Sequence, residues 1–257
     1  MNGELATHYY RATGLSPYYF ANVVYNVVKS PTAYLRAIED LLGDMAGSFL
    51  VRSFHPYSNL HCFIEDVAND LFFEEPADKS ENYLAVYFVK QIGGTHNLED
   101  PNDIDELLEA RNEQWFYEAF ENLVEEVFVI LFQNVGFLQR FNELTASYVF
   151  SYLTSFGEPE VQTNDHLKRV HIPQFVKDAV YFRDRGECRS CKKAIDRQIS
   201  PYHKECFDHI VPLARGGAND ISNIQLLCVP CNSEKSDKYW PVSDFYQRHY
   251  PAARSDQ

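Results

Sequence analysis

The sequence is short of positive charge and has no long hydrophobic run. Only 23 Lys and Arg residues stand against 37 Asp and Glu residues, which gives a net charge of −14. The longest apolar run of the helical part, residues 127–132, is far below the ~18 residues that a membrane span needs. The N-terminus has neither the basic nor the apolar region of a secretory signal. These absences predict a cytoplasmic protein that does not bind membranes.

The negative charge is unevenly distributed along the chain. Residues 1–165 hold 8 Lys and Arg against 26 Asp and Glu, a net of −18, whereas residues 166–257 hold 15 against 11, a net of +4. These two sums together recover −14. Opposite signs predict two domains with different functions. A polyanion such as nucleic acid would bind the cationic part.

Hydrophobic periodicity predicts a mostly helical first part. A Ser-Pro pair at 16–17 and another at 30–31 are typical of helix starts, because serine caps and proline suits the first turn. Further helices are predicted over about 58–73, 104–133 and 136–153. In the longest of them, one apolar stripe at helical spacing comprises Trp115, Ala119, Leu123, Val127 and Leu131.

The periodicity changes in the last third of the chain. A helix over about 173–184 is followed by two short strands, over 207–211 and 221–227, and then by a helix over 229–238. The prediction is therefore an α+β protein. It has a mostly α-helical N-terminal domain over 1–157, a linker over 158–170 and a small C-terminal domain over 171–257.

Four of the six cysteines form two Cys-x-x-Cys pairs in the C-terminal part. Such pairs each present two thiolates to a metal, and a tetrahedral zinc ion takes four. A closed four-cysteine site leaves no open coordination position, so this zinc would be structural. The alternative is a set of unligated buried cysteines, which two pairs of equal spacing disfavour. The predicted Zn²⁺ ligands are Cys188, Cys191, Cys228 and Cys231.

An Asp-His pair, Asp208-His209, lies in the first predicted strand. A carboxylate is a good ligand for a hard divalent ion such as magnesium. An imidazole beside it can take a proton from water near neutral pH. The alternative for a histidine in a strand is a core residue with its hydrogen bonds satisfied.

The C-terminal part resembles the HNH endonucleases, whose ββα-metal core has the pattern C-x-x-C, D-H-I-x-P, G-G, N-L-x-x-L-C-x-x-C-[HN]-x-x-K. The resemblance covers residues 173–238, about a quarter of the chain. It rests on a set of residues in register: Cys188, Cys191, Asp208, His209, Pro212, Gly216, Gly217, Asn223, Ile224, Leu227, Cys228, Cys231, Asn232 and Lys235.

This resemblance implies a role for each residue of the site. His209 would be the general base, Asp208 a ligand of the catalytic metal, and Asn223 the brace of the loop that orients the histidine. Asn232 stands where many relatives have a second histidine. An amide oxygen there would favour Mg²⁺ or Mn²⁺ over softer metals, although Asn232 could also cap the last helix. Lys235 would touch a phosphate or remain solvated.

The resemblance implies hydrolysis of phosphodiesters by one metal ion, with DNA favoured over RNA. A nuclease joined to a helical part is an arrangement typical of phage-defence and restriction systems. One rival is a zinc-stabilised nucleic-acid-binding module without catalysis. The other is a sensor whose helical half gates the nuclease; that half could also mediate homo-oligomerisation, bind a protein partner or mimic DNA. Exposed basic residues would contact phosphates or only aid solubility: Arg183, Arg185, Arg189, Lys192, Lys193 and Arg215.

Overall fold

The computed structural model describes residues 16–33, 42, 49–73, 88, 106, 109, 112–156, 162–163, 166–195, 206–238 and 240. Its longer elements are the helices α1 (Pro17–Lys29), α2 (Asn59–Phe73), α3 (Gln114–Phe132), α4 (Val135–Phe156), α5 (Gln174–Arg183) and α6 (Val229–Lys235). Two short antiparallel pairs join β1 (Gln162–Thr163) to β2 (His166–Leu167) and β3 (Cys206–His209) to β4 (Ile224–Leu227). This mostly helical chain with a small sheet near its C-terminal part confirms the predicted α+β class.

Helix α1 begins at the predicted Ser-Pro pair. The Ser16 side chain accepts a hydrogen bond from the backbone amide of Tyr19 at 3.4 Å, and Pro17 occupies the first turn. After the second Ser-Pro pair the structure has one turn of 3-10 helix, Pro31–Ala33, and residues 34–41 lie outside the described ranges. A membrane-crossing helix is not found among the described residues, since none of their helices has the length and apolarity required.

Helix α3 buries a slightly different face from the predicted one. Its first turns bury Phe116 and Phe120, whereas Trp115 and Ala119 are only half-buried. Both phenylalanine rings pack edge-on against Phe72 of α2, with ring centroids about 6 Å apart. Aromatic area of this size dominates local packing, so the helix turns its phenylalanines inward. The rest of the predicted stripe is buried: Leu123, Val127 and Leu131.

Strands β3 and β4 pair antiparallel, with Asp208 opposite Gln225 and His209 opposite Ile224. The second strand is shorter than predicted because residues 221–223 form a turn of 3-10 helix. The side chain of Asp220 caps this turn by accepting the backbone amide of Ser222 at 2.9 Å. Helix α6 follows at once and packs on β3. This β3–β4–α6 unit, with the loop between its strands, holds Asp208, His209, Asn223, Asn232 and Lys235.

The helical part and the C-terminal part share one continuous cluster of buried apolar residues. The loop between β3 and β4 is tied to the helical part over residues 216–223, here called the 216–223 loop. The ring of Phe132 in α3 lies under the guanidinium of Arg183 in α5, 4.8 Å from its centroid. Three hydrogen bonds attach the loop: Phe54 N to Asn219 O at 2.7 Å, Asn59 N to Asp220 Oδ2 at 3.0 Å, and Asn142 Nδ2 to Ser222 O at 3.1 Å.

The predicted linker is only partly described. Its residues 158–161 and 164–165 lie outside the described ranges. The described remainder comprises strand β1 and residues 166–170, which include strand β2. Leu167 is buried at 1% exposure, so this stretch packs against the protein. The domain boundary at 157 stays a prediction.

Candidate active site

The two Cys-x-x-Cys pairs converge on one point. All four sulfur atoms lie within 4.8 Å of one another, and Cys191 Sγ is 3.7 Å from Cys228 Sγ. Ligands about 2.3 Å from a tetrahedral zinc stand about 3.8 Å apart, so the cluster fits this ion. Within the described ranges it is the one group of three or more His, Cys, Asp or Glu side chains arranged for a metal.

The cysteine cluster joins two parts of the C-terminal fold. Cys188 and Cys191 lie in the turn after α5, and Cys228 is the N-cap of α6. A backbone hydrogen bond from Lys193 lowers the pKa of Cys191 to about 7, whereas desolvation raises the pKa of Cys231 to about 12. Because metals bind thiolates, loading of this site releases protons.

Asp208 and His209 point to different surroundings, as neighbours in a strand do. Asp208 lines a cleft of about 650 Å³ between α6 and the stretch around β2. His209 is buried at 1% exposure, and its Nε2 lies 3.1 Å from Oδ1 of Asn219 in the 216–223 loop. The carboxylate therefore faces the cleft, whereas the ring of His209 is buried and is not among the described residues that line the cleft.

Asn219 determines which nitrogen of His209 carries the proton. Its Nδ2 donates to the carbonyl of Lys168 at 2.8 Å, so its Oδ1 is the atom turned to the histidine. An amide oxygen only accepts, so Nε2 is the donor and Nδ1 keeps its lone pair. Within the described residues Nδ1 has no hydrogen-bond partner.

His209 is neutral near pH 7. Burial, and next the positive charge of Arg169, lower the pKa of its imidazole to about 4. A neutral ring with an unpaired Nδ1 can accept a proton, which a general base requires.

The side chain of Asn223 holds the beginning and the end of the β3–β4 connection together by hydrogen bonds. Its Oδ1 accepts the backbone amide of Val211 at 2.8 Å, and its Nδ2 donates to the carbonyls of Val211 and Ala218 at 3.0 and 2.9 Å. The backbone of Gly217 passes so close that a Cβ there would collide with the carbonyl of Val211. The loop that carries Asn219 is therefore tightly packed against the end of β3.

Asn232 lines the same cleft as Asp208. It lies inside α6, whose N-cap is Cys228, so the interpretation of Asn232 as a helix cap is wrong. A carboxylate and an amide oxygen in one cleft are ligands of the type that Mg²⁺ and Mn²⁺ prefer. Water and a substrate oxygen would complete the coordination of a hard ion, so the donor set fits such a metal.

Residues 188–238 match the family model described as HNH endonuclease. The C-terminal part of this chain carries an HNH domain. The match spans the cysteine cluster, β3, β4 and α6, and it includes neither the helical part nor the stretch around β2. The chain matches no curated protein and no solved structure.

Lys235 of the HNH domain is buried at 1% exposure. Its Nζ donates to Asp208 Oδ2 at 2.6 Å and to the carbonyl of His209 at 2.7 Å. The solvated lysine considered as an alternative is therefore wrong. Lys235 ties α6 to the end of β3 and holds one oxygen of Asp208, which leaves Oδ1 as the oxygen turned to Arg169 at 3.7 Å.

Two of the basic residues predicted to contact nucleic acid are buried. Arg183 donates to Asp184 at 2.9 and 3.0 Å and to the carbonyl of Ile224 at 2.6 Å, and Arg189 is 3% exposed. Both assignments are corrected, because neither side chain reaches solvent. The other four are exposed, and none is among the described residues that line the cleft: Arg185, Lys192, Lys193 and Arg215.

Three residues of the site were missed in the sequence. Lys168 and Arg169 line the cleft from within the predicted linker, at the point where the charge of the chain changes sign, and that change was the available signal. Asn219 lies in the connection between the two predicted strands, beside Gly216 and Gly217. No sequence signal distinguishes it, because its contact with His209 depends on the fold of the loop.

Proposed function

We propose that the HNH domain is a divalent-metal-dependent endonuclease that hydrolyses phosphodiester bonds, with DNA as the favoured substrate. The observation that carries this proposal is the state of His209, a neutral imidazole whose Nε2 is engaged by Asn219 and whose Nδ1 is unpaired. It stands next to Asp208, which lines a cleft with basic residues in its wall.

The chain's own residues would divide the work of the reaction. His209 Nδ1 takes a proton from a water that attacks the phosphorus, and the 3′ oxygen leaves. Asp208 and Asn232 hold Mg²⁺ or Mn²⁺, which when bound offsets negative charge on the phosphate and the leaving oxygen. Asn219 keeps Nε2 protonated, and Asn223 holds the loop. The four cysteines hold a structural zinc away from the chemistry.

The unpaired Nδ1 favours catalysis over a domain that only binds nucleic acid. The helical part is proposed to bind a protein partner or a second copy, or to gate the nuclease. Its hydrogen bonds from Phe54, Asn59 and Asn142 to the 216–223 loop favour the gating role. Phage defence or restriction is the setting proposed for such a nuclease.

The test is cleavage of supercoiled plasmid, linear duplex and RNA by the zinc-loaded full chain with Mg²⁺, with Mn²⁺ or without either added metal. His209→Ala should lower the rate by about 10²–10⁴, the usual contribution of a general base. The matched control is His55→Ala, because His55 is exposed in the helical part. Cleavage by His209→Ala at the rate of the control would refute the assignment of the base, and no cleavage by the parent protein with either metal would refute the function.

A further inference from the structure

The stretch 166–169 forms one wall of the cleft, although it lies outside the matched HNH residues. Two contacts hold it in place. Leu167 is buried at 1% exposure, and the carbonyl of Lys168 accepts a hydrogen bond from Nδ2 of Asn219. Since Asn219 also engages His209, one residue aligns this wall and the imidazole.

Arg169 is the cation that this wall directs at Asp208. Its Nη2 lies 3.7 Å from Asp208 Oδ1, while Lys235 Nζ lies 2.6 Å from Oδ2. The two cations differ in their surroundings: the side chain of Lys235 is 1% exposed and that of Arg169 is 66% exposed. Solvent around the Arg169 guanidinium and the 3.7 Å separation weaken its attraction to Oδ1, so Arg169 can leave the carboxylate while Lys235 stays.

We propose that Arg169 exchanges partners during function, leaving Asp208 when a divalent ion binds and then contacting a phosphate of the nucleic acid in the cleft together with Lys168. This inference rests on the proposed function. The guanidinium suits both partners, because its planar fork matches carboxylate and phosphate oxygens alike. Lys168 is exposed beside it and adds a second positive charge to the same wall.

The exchange predicts two effects of opposite sign for the loss of Arg169. The metal would no longer compete with a guanidinium for Asp208 Oδ1, so it should bind more tightly. The nucleic acid would lose a phosphate contact, so it should bind more weakly. An arginine that was only solvated would change neither affinity, and one needed only for folding would weaken both.

The first measurement is Mn²⁺ affinity, read from the electron paramagnetic resonance of free Mn²⁺ in the presence of zinc-loaded full chain. Arg169→Met should bind Mn²⁺ about two- to fivefold more tightly, which is the size of effect expected for an ion pair whose cation lies in solvent. Arg140→Met is the control, since Arg140 is exposed on α4 in the helical part. Asp208→Asn added to Arg169→Met should abolish the gain.

The second measurement is the anisotropy of a labelled DNA duplex with Ca²⁺, in a His209→Ala background that removes the proposed base. Arg169→Met should weaken binding roughly tenfold, as expected for one charged hydrogen bond, and should lower the slope of log affinity against log salt by about 0.9. Arg169→Lys should restore the slope, because it keeps the charge.

Arg169→Met that matches Arg140→Met in either measurement would overturn the exchange. Failure of the exchange is distinguishable from failure of the nuclease. If the parent protein cuts no nucleic acid but both opposite shifts occur, the exchange stands and catalysis does not. If the parent protein cuts and Arg169→Met is neutral, the exchange alone fails.

Discussion

Replacement of Lys235 by methionine tests whether this lysine holds the site or contacts substrate. Methionine keeps much of the stem and removes the charge that Lys235 places 2.6 Å from Asp208 Oδ2 and 2.7 Å from the carbonyl of His209. The substitution leaves a carboxylate with 8% side-chain exposure without its nearest cation. Arg169, at 3.7 Å and in solvent, compensates only partly.

The expected loss follows from these contacts. Removing one partner of a buried pair lowers the free energy of unfolding by about 3–5 kcal/mol. A loss near the lower value is expected, because Asp208 lines the cleft and still has Arg169 nearby. For a protein of this size, about 3 kcal/mol lowers Tm by roughly 6–12 °C. Adding Asp208→Asn to Lys235→Met removes the negative charge that Lys235 had neutralised, so the double variant should recover most of the lost stability.

Thermal unfolding followed by circular dichroism, with zinc present, measures this loss. Lys238→Met is the matched control, because Lys238 lies three residues further on and is exposed. If Lys235→Met unfolds at the temperature of the control while its affinity for DNA falls, the structural role is wrong and the predicted phosphate contact is right.

Three further outcomes are expected. The unfolded chain binds a proton at His209 more tightly than the folded chain, in which the pKa of His209 is about 4. The free energy of unfolding should therefore fall by roughly 3 kcal/mol between pH 6.5 and 4. Urea titrations in which His209→Gln shows the same fall with pH as the parent protein would contradict this. Cys228→Ser, or removal of zinc by a chelator, should unfold the C-terminal part, and a zinc-free variant with native circular dichroism and Tm would count against the metal cluster. Gly217→Ala should lower the free energy of unfolding by about 1–3 kcal/mol, because its Cβ would collide with the carbonyl of Val211. Ala214→Ser, at an exposed position, should not lower it. Equal Tm values for the two variants would contradict the prediction and show that the loop adjusts.

The α+β class and the HNH domain were predictable because their signals are local. Cys-x-x-Cys pairs, a Ser-Pro helix start and the 3.6-residue period involve near neighbours in the sequence, so they survive without knowledge of the fold. The shift of α3 toward Phe116 and Phe120 was not predictable from its own period. It depends on Phe72 of α2, which is remote in sequence and meets both rings edge-on.

Charge was the least dependable guide to individual residues. Arg183 and Arg189 were expected at a nucleic-acid surface, but both are buried, and Arg183 bonds to Asp184 and to the carbonyl of Ile224. The composition of a segment shows that cations are present but not which of them face solvent. Two of the cations that line the cleft, Lys168 and Arg169, precede the matched residues.

The sequence by itself determined the candidate site residues of this protein: two cysteine pairs, an Asp-His pair and spaced asparagines. Only the tertiary structure decided how those residues are held. Asn219 meets His209, Lys235 meets Asp208, and the helical part holds the loop between them. The physical reason is that residue types and short spacings are encoded locally, whereas the tautomer of His209 and the burial of Lys235 depend on atoms brought together from distant parts of the chain.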